Sequence, residues 1–284
     1  YISESQMNEA YNEKLEFYGK ESSDSLTSVA YFRDAVVKEL ENIDSIPNSF
    51  LDTGGLKIYT TLDLKAQKSL EESINKNDNY KDLQVSAVTM NPNDGSILGL
   101  IGGANYIKTQ YNRATSSLRQ VGSTMKTFLY YAALENGFTS STSFTSEETT
   151  FTFSNKSTYS PKNANEIYGN IPISLATAIS YSDNIYAIKT HMFLGEDTLV
   201  NMAKRLGITA NISANPSLPL GTNEISIIEM TSAYATFANN GFKIIPHLIT
   251  KVEDAKGNVL YEFKDKKELI LNQSLVYILN ELLT

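Results

Sequence analysis

The most chemically pointed pattern in this sequence is a serine and a lysine three residues apart, Ser123-Thr-Met-Lys126. Residues at this spacing on a helix share one face, so the Lys126 amine can take the proton of Ser123 as its oxygen attacks a carbonyl. The same spacing recurs at Ser73-Ile-Asn-Lys76, in a polar stretch that reads as an exposed helix end. Surroundings separate the two copies. Behind Ser123, the apolar residues Met125, Phe128, Leu129, Ala132 and Ala133 recur at helical intervals, and Asn136-Gly137 closes the segment as a C-terminal cap. This pattern predicts a buried helix opening at Ser123, where backbone N–H groups and the positive end of the helix dipole would meet an oxyanion. The same apolar setting penalises a charged Lys126 and lowers its pKa toward that of a usable base. The plainer alternative is a serine N-cap followed by a solvent-facing lysine.

A second element, Ser182-Asp183-Asn184, lies 59 residues beyond Ser123. A hydroxyl there can relay a proton toward a leaving amine, and a carboxamide offers both a donor and an acceptor to a peptide-like substrate. Ser-x-Asn also recurs at Ser73-Ile-Asn75 and Ser213-Ala-Asn215. Taken alone, Ser182 and Asn184 fit a helix-connecting turn with polar caps better than a site.

The order, interval and flanks of these motifs together resemble the penicillin-binding proteins, specifically the transpeptidase domain of the class A, bifunctional kind. Ser-x-x-Lys with Ser-Asp-Asn is part of their signature, shared with class A β-lactamases. The resemblance extends over almost the whole chain. It includes an opening strand at Gly55–Asp63, a first hairpin at Val85–Gly103, Pro161-Lys-Asn163 with Tyr168-Gly169, and Leu218-Pro-Leu-Gly-Thr222 running into Ile228–Gly241. It implies that Ser123 is the acylated nucleophile, Lys126 its base, Ser182 a proton shuttle and Asn184 a holder of a substrate amide. The implied fold is α/β, penicillin-binding protein/β-lactamase-like, with an antiparallel sheet flanked by helices on both faces. The implied reaction is D,D-transpeptidation. The penultimate D-alanine carbonyl of a peptidoglycan stem peptide passes to Ser123 and then to the amine of a neighbouring stem, and β-lactams block the serine covalently. The resemblance implies no metal or organic cofactor, and a cell-surface location on the outer face of the bacterial cytoplasmic membrane.

The chain departs from the family pattern in two ways. Val121 and Thr127 stand where the family commonly has proline, leaving the local backbone less pre-set. The third motif, Lys-Thr/Ser-Gly, which supplies a positive charge for the substrate carboxylate, occurs nowhere in the 284 residues. By family spacing it falls beyond Thr284, so the remainder of the transpeptidase domain, as further sequence or as a second chain, is expected to complete the site. Residues 1–52 are expected to form a linker after a glycosyltransferase domain, and 53–284 a transpeptidase domain incomplete at its C-terminus. A membrane anchor is expected only ahead of residue 1.

Composition narrows the alternatives. The net charge of -8 and the lack of any basic run argue against a nucleic-acid partner. His191 and His247 stand far apart without zinc-like spacing, so both read as structural or surface residues. With no cysteine, disulfides and thiol chemistry are excluded. Tyr130 and Tyr131, mid-helix among apolar residues, read as core.

The elements that must position the motifs follow from pattern changes. Residues 1 to about 52 read as polar and helical, broken at Glu21–Ser25, with an amphipathic helix over Tyr31–Leu40. Leu56–Thr61 reads as a strand, Asp63–Asn75 as an aspartate-capped helix, and Val85–Met90 with Ser96–Ile101 as a hairpin. Thr139–Ser160 reads as short strands and loops in which Phe151 and Phe153 pack. Leu199–Leu206 and Ile225–Asn239 read as helices ended by Gly207 and Gly241. A last hairpin spans His247–Glu253 and Val259–Phe263, followed by a helix within Leu271–Thr284.

Two rival functions share these residues. A β-lactamase would need a carboxylate poised over a water, in the Glu-x-x-Leu-Asn motif that follows Ser-Asp-Asn in class A enzymes; here that position holds Asn215-Pro-Ser-Leu-Pro-Leu. The one such match, Glu268-Leu-Ile-Leu-Asn272, lies too far along the chain, and Glu166 precedes Ser182. The other rival is a penicillin-binding scaffold that has lost catalysis.

Overall fold

A computed structural model of the chain describes residues 3–5, 7, 29–47, 49–50, 54–76, 83–153 and 156–284. The break expected at Glu21–Ser25 lies outside them. Helix α1 (Ala30–Leu40) buries Ala30, Tyr31, Phe32, Ala35, Val36 and Leu40, the amphipathic face read from the sequence. Strand β1 (Lys57–Thr60) leads to α2 (Leu64–Asn75), where the Asp63 carboxylate accepts the Lys65 and Ala66 N–H groups as an N-cap. The hairpin strands β2 (Ala87–Met90) and β3 (Ile97–Ile101) pair antiparallel. Beyond them the single turn α3 (Arg113–Ser116) and β4 (Leu118–Gln120) approach the Ser-x-x-Lys segment.

That segment opens as a 3-10 turn, Gly122–Thr124, and continues as α4 (Met125–Glu135). Every residue from Met125 to Leu134 is buried, so α4 is a central helix with no solvent face. The hydroxyl-rich stretch after it forms β5 (Ser143–Thr145), β6 (Phe151–Thr152) and β7 (Thr158–Tyr159). Strand β8 (Pro172–Ser174) pairs with β5 and runs into α5 (Leu175–Ser180). A three-residue turn then leads into α6 (Asn184–Leu194), followed by α7 (Glu196–Arg205). Helix α7 begins earlier than the apolar pattern predicts because Glu196 and Asp197 supply the acidic first turn that favours a helix start.

Strand β9 (Glu224–Ser226) pairs with β4, placing Gln120 opposite Glu224 and Leu118 opposite Ser226. Helix α8 (Ile227–Ala238) therefore starts two residues later than predicted, after a capping box in which Ser226 and Glu229 exchange bonds. The closing elements are β10 (Ile249–Glu253), β11 (Val259–Glu262) and α9 (Gln273–Leu282). Strand β10 is the middle of the antiparallel order β1-β10-β11. Helices α1 and α2 pack on β3 while α8 packs on β2, so the strands are flanked by helices as the sequence implied.

Two apolar clusters hold these layers. One surrounds α4 and draws in Leu175, Tyr186, Leu199, Leu218, Phe237 and Leu279. The other joins α1 to Ile97, Leu100, Ile249 and Val252, so this part of the expected linker packs into the domain. No helix among the described residues is long and apolar enough to cross a membrane.

Glu229 does more than cap α8. Its carboxylate also accepts the Thr209 N–H and hydroxyl, each at 2.8 Å, tying the loop after α7 to α8. Burial pushes its pKa up, but the bonds from Thr209 and Ser226 outweigh burial and hold it below the ordinary value of 4.5. A depressed carboxylate pKa contributes stability above the unfolded-state value and loses it as pH falls through the folded one. Glu229→Gln should therefore lower stability by about 1 kcal/mol at pH 7. The difference from wild type should shrink below about pH 4.5, as read by urea unfolding at several pH values.

Candidate active site

Lys126 sits in the first turn of α4 and is only 4% exposed. Its ammonium donates to the Ser182 carbonyl at 2.6 Å, the Ser182 hydroxyl at 3.1 Å and Asn184 Oδ1 at 2.6 Å. Three donated bonds are the full complement of a lysine ammonium, so its charge is satisfied although it is buried. Burial lowers the Lys126 pKa to about 8, against an opposing attraction from Asp183. The expectation of a lysine whose pKa is lowered by an apolar setting agrees with this, and its alternative of a solvent-facing lysine does not.

Ser123 lies in the 3-10 turn just ahead of α4 and is exposed. Its hydroxyl makes no hydrogen bond among the described residues. The structure thus brings Lys126, Ser182 and Asn184 into one bonded cluster, while Ser123, one turn ahead of Lys126 in the chain, is not bonded to it. Catalytic hydrogen bonds of this kind often form only once substrate is present. The second Ser-x-x-Lys copy has no such company. Ser73 bonds back to the Ser69 carbonyl at 2.7 Å, and Lys76 pairs with Glu72 at 3.4 Å on an exposed helix end.

Ser182 owes its place to a strained turn. Helix α5 ends in a Schellman motif: the Ser182 N–H reaches the Ile179 carbonyl at 3.0 Å and the Asp183 N–H the Ala178 carbonyl at 2.9 Å. That motif places Ser182 in the left-handed region, φ 50°, where glycine is usual. The chain accepts the strain at the residue whose carbonyl and hydroxyl both meet Lys126. Asn184 is held as firmly, since its Nδ2 donates to the Lys162 carbonyl at 2.7 Å. One Nδ2 hydrogen and one Oδ1 lone pair remain for a ligand.

Several neighbours that sequence reasoning left without a role fix this geometry. Asp183 caps α6 through the Tyr186 N–H at 2.7 Å, and Asn163 accepts the Asn184 and Ile185 N–H groups at 2.8 and 3.2 Å. Gly221 is left-handed at φ 70°, and a Cβ built on it would lie 2.0 Å from the Gly122 carbonyl oxygen. The two backbones are joined by the Gly122 N–H donating to the Gly221 carbonyl at 3.1 Å. Tyr234 on α8 donates to the Thr124 carbonyl at 2.9 Å and shares a 2.9 Å bond with Thr127. Thr127, one of the two departures from proline, thus supplies a partner for the hydroxyl that braces the serine turn. His191 is fully buried, and its Nε2 donates to the Asn215 carbonyl at 3.1 Å, anchoring the loop that carries Gly221. His247 is buried on Phe263, ring centroids 3.6 Å apart. Both histidines are structural.

A cavity of about 350 Å³ adjoins the turn on the side of Val121 and Thr124, lined also by Arg113, Arg119, Gln120 and Met230. Lys126, Ser182 and Asn184 do not line it, so it borders the cluster without containing it. Among the described residues no group of His, Asp and Glu could hold a metal ion.

The model for "Penicillin binding protein transpeptidase domain" matches residues 85–275, which span both motifs. Penicillin-binding protein 2D of Bacillus subtilis is 41% identical over 285 residues, covering 100% of this chain and 41% of that protein. The chain therefore spans well under half of that relative. The crystal structure of penicillin-binding protein 1A from Haemophilus influenzae superposes with a TM-score of 0.64 at 29% identity, over 70% of this chain and 34% of that one. PonA1 from Mycobacterium tuberculosis, solved in complex with penicillin V, gives a TM-score of 0.74 at 24% identity, over 88% and 69% of the two chains. That last likeness is one of fold.

Four substitutions at three positions test the backbone of the site. Ser182→Gly should be more stable than Ser182→Ala by about 1 kcal/mol, the reverse of the usual order in a helix, because both lack the hydroxyl but only glycine relieves the left-handed strain. Gly221→Ala should cost about 3 kcal/mol or more, and Gly122→Ala, whose Cβ meets open space, about 1 kcal/mol. Urea unfolding midpoints read all four.

Proposed function

The chain belongs to the penicillin-binding protein transpeptidase domain family, and from that premise we propose that the whole protein is a serine-type D-Ala-D-Ala transpeptidase that cross-links peptidoglycan stem peptides. In this reading Ser123 Oγ attacks the penultimate D-alanine carbonyl, and its proton passes to Lys126 once that amine is neutral. The C–N bond to the terminal D-alanine breaks as its nitrogen takes up a proton through Ser182, leaving an acyl ester on Ser123. The amine of a neighbouring stem then attacks the ester and restores the serine. Asn184 aligns the donor peptide with its remaining amide hydrogen and lone pair. The site works on the outer face of the cytoplasmic membrane, where its substrate is assembled.

The observation that carries this reading is the buried Lys126 amine, bonded to Ser182 and Asn184 in the turn directly beneath an exposed Ser123. All three ammonium hydrogens point at the 182–184 side. To serve Ser123 the amine must lose a proton and release one of those bonds, which makes Lys126 deprotonation the gate to acylation.

The β-lactamase alternative requires fast hydrolysis of the acyl ester. Glu166, the acid closest in sequence to Ser182 on its N-terminal side apart from the buried motif, is turned out onto Lys162 at 2.6 Å with a side chain 65% exposed. Slow deacylation follows.

Intact-protein mass spectrometry of the full-length protein with benzylpenicillin should show one lasting adduct. Ser123→Ala should abolish it, and Lys126→Ala should slow its formation by about 10²- to 10⁴-fold. The rate should rise with pH through about 8, as Lys126 becomes neutral. Rapid turnover of the drug would favour a hydrolase, and a wild-type protein that forms no adduct would favour a scaffold.

A further inference from the structure

One charged group in the cleft has no part in the acyl-transfer steps. Asp183, between Ser182 and Asn184, is only 7% exposed. One of its carboxylate oxygens caps α6 through the Tyr186 N–H; the other accepts the Ser146 hydroxyl and, at 2.7 Å, Asn163 Nδ2. Asn163 passes the constraint on by accepting the Asn184 N–H. Ser146 is itself tied to the 170–171 segment, its carbonyl accepting the Asn170 N–H at 2.7 Å and its N–H donating to the Ile171 carbonyl at 3.2 Å. Three stretches of chain far apart in sequence are thus pinned on one buried carboxylate.

We infer that Asp183 is a positioning residue of the acylation centre, its carboxylate fixing the loops that present Ser182 and Asn184 while its charge sits next in the chain to the Ser182 carbonyl that the Lys126 amine bonds. The inference rests on the acyl-serine reading and specifies how the base is tuned. Of the other ionisable groups on α4 and α6, Tyr131 donates to Glu135, which pairs with Arg205, and His191 donates to the Asn215 carbonyl. Tyr130 on α4 and Tyr186 on α6 are held neutral by burial, which raises both well above the ordinary phenol value. Lys162 is paired with Glu166 at 2.6 Å and Lys189 with Glu147 at 3.8 Å. Asp183 is therefore the charge that opposes burial at Lys126. Without it burial acts alone, the ammonium is less favoured, and the neutral base is present at lower pH. A carboxylate that served only as a helix cap would change stability and the size of the acylation rate, not the pH at which that rate rises.

The test is the rate of acylation of the full-length protein by a fluorescent penicillin between about pH 6 and 10, where the rising limb reports Lys126. Asp183→Asn and Asp183→Ser both keep an acceptor for the Tyr186 N–H, so α6 retains a cap. In both, the midpoint of the limb should fall by about 0.5 pH unit or more. Ser146→Ala removes a bond to Asp183 and keeps its charge, so the plateau should drop with the midpoint within about 0.2 unit of wild type. An unmoved midpoint in the Asp183 variants, or an equal shift in Ser146→Ala, overturns the inference while leaving the acyl-serine reading intact. If neither Asp183 variant folds, movement of the Ser146→Ala midpoint still refutes the tuning role. A wild-type protein that is never acylated overturns the acyl-serine reading first, and is recognised because it needs no variant.

Discussion

A lysine ammonium removed from water and satisfied by three oxygens is the constraint around which the rest of this domain is organised. An unpaired charge at that depth would be prohibitively costly, so the turn between α5 and α6 must present two side-chain oxygens and a carbonyl to one point. The demand reaches outward. It requires Ser182 to be left-handed, which requires a Schellman ending on α5, and it requires α6 to begin at Asn184 with Asp183 as its cap. The packing of α4 answers the same demand from the other side. Because α4 is buried from Met125 to Leu134, the Lys126 stem is packed on the helix and its amine is left to meet the 182–184 turn.

The serine is governed by a different rule. Its turn is held through main-chain groups of its neighbours, the Gly122 N–H on the Gly221 carbonyl and the Thr124 carbonyl under the Tyr234 hydroxyl. Neither depends on the Ser123 side chain, so the hydroxyl stays free while the main chain beneath it is held from two sides. A rigid carrier with an unengaged hydroxyl lets an incoming carbonyl meet the oxygen without first breaking a protein–protein bond. The loop that supplies Gly221 is anchored through Asn215 to His191, three residues from the C-terminal end of α6. The Ser123 turn and the helix that begins at Asn184 are thereby joined by a route separate from α4 itself.

Much of this could be read from residue order, and the failures have a common cause. Local patterns carried over: the aspartate cap at Asp63, the apolar run behind Ser123, and left-handed glycines at 137, 207 and 241 where C-caps were expected. The contrast between the two Ser-x-x-Lys copies also held, because burial is written in the flanking residues. Contacts between side chains distant in sequence were not readable. Asp183 stands before an apolar helical run, which marks it as a cap, but nothing local says that its second oxygen meets Ser146 and Asn163. Asn163 was placed in a block without a partner for the same reason. Gly221 is an ordinary turn glycine in sequence, and only the approach of Gly122 shows that a methyl group there would collide with backbone.

These two kinds of residue also differ in what they can tolerate. Ser182 sits where glycine would be conformationally easier, and Asp183 where a serine or asparagine would cap as well. At Ser182 local conformation, and at Asp183 the helix cap by itself, do not account for the side chain present. A residue that local conformation disfavours, or that exceeds what a cap requires, needs a reason elsewhere: the Ser182 hydroxyl meets the Lys126 amine, and the second Asp183 oxygen holds Ser146 and Asn163. The charge of Asp183 opposes the desolvation of that amine. Seen this way, the turn between α5 and α6 is an environment for Lys126 first and a helix connection second, which is why a motif that looked like a cheap polar linker in the sequence became the most tightly specified part of the cleft.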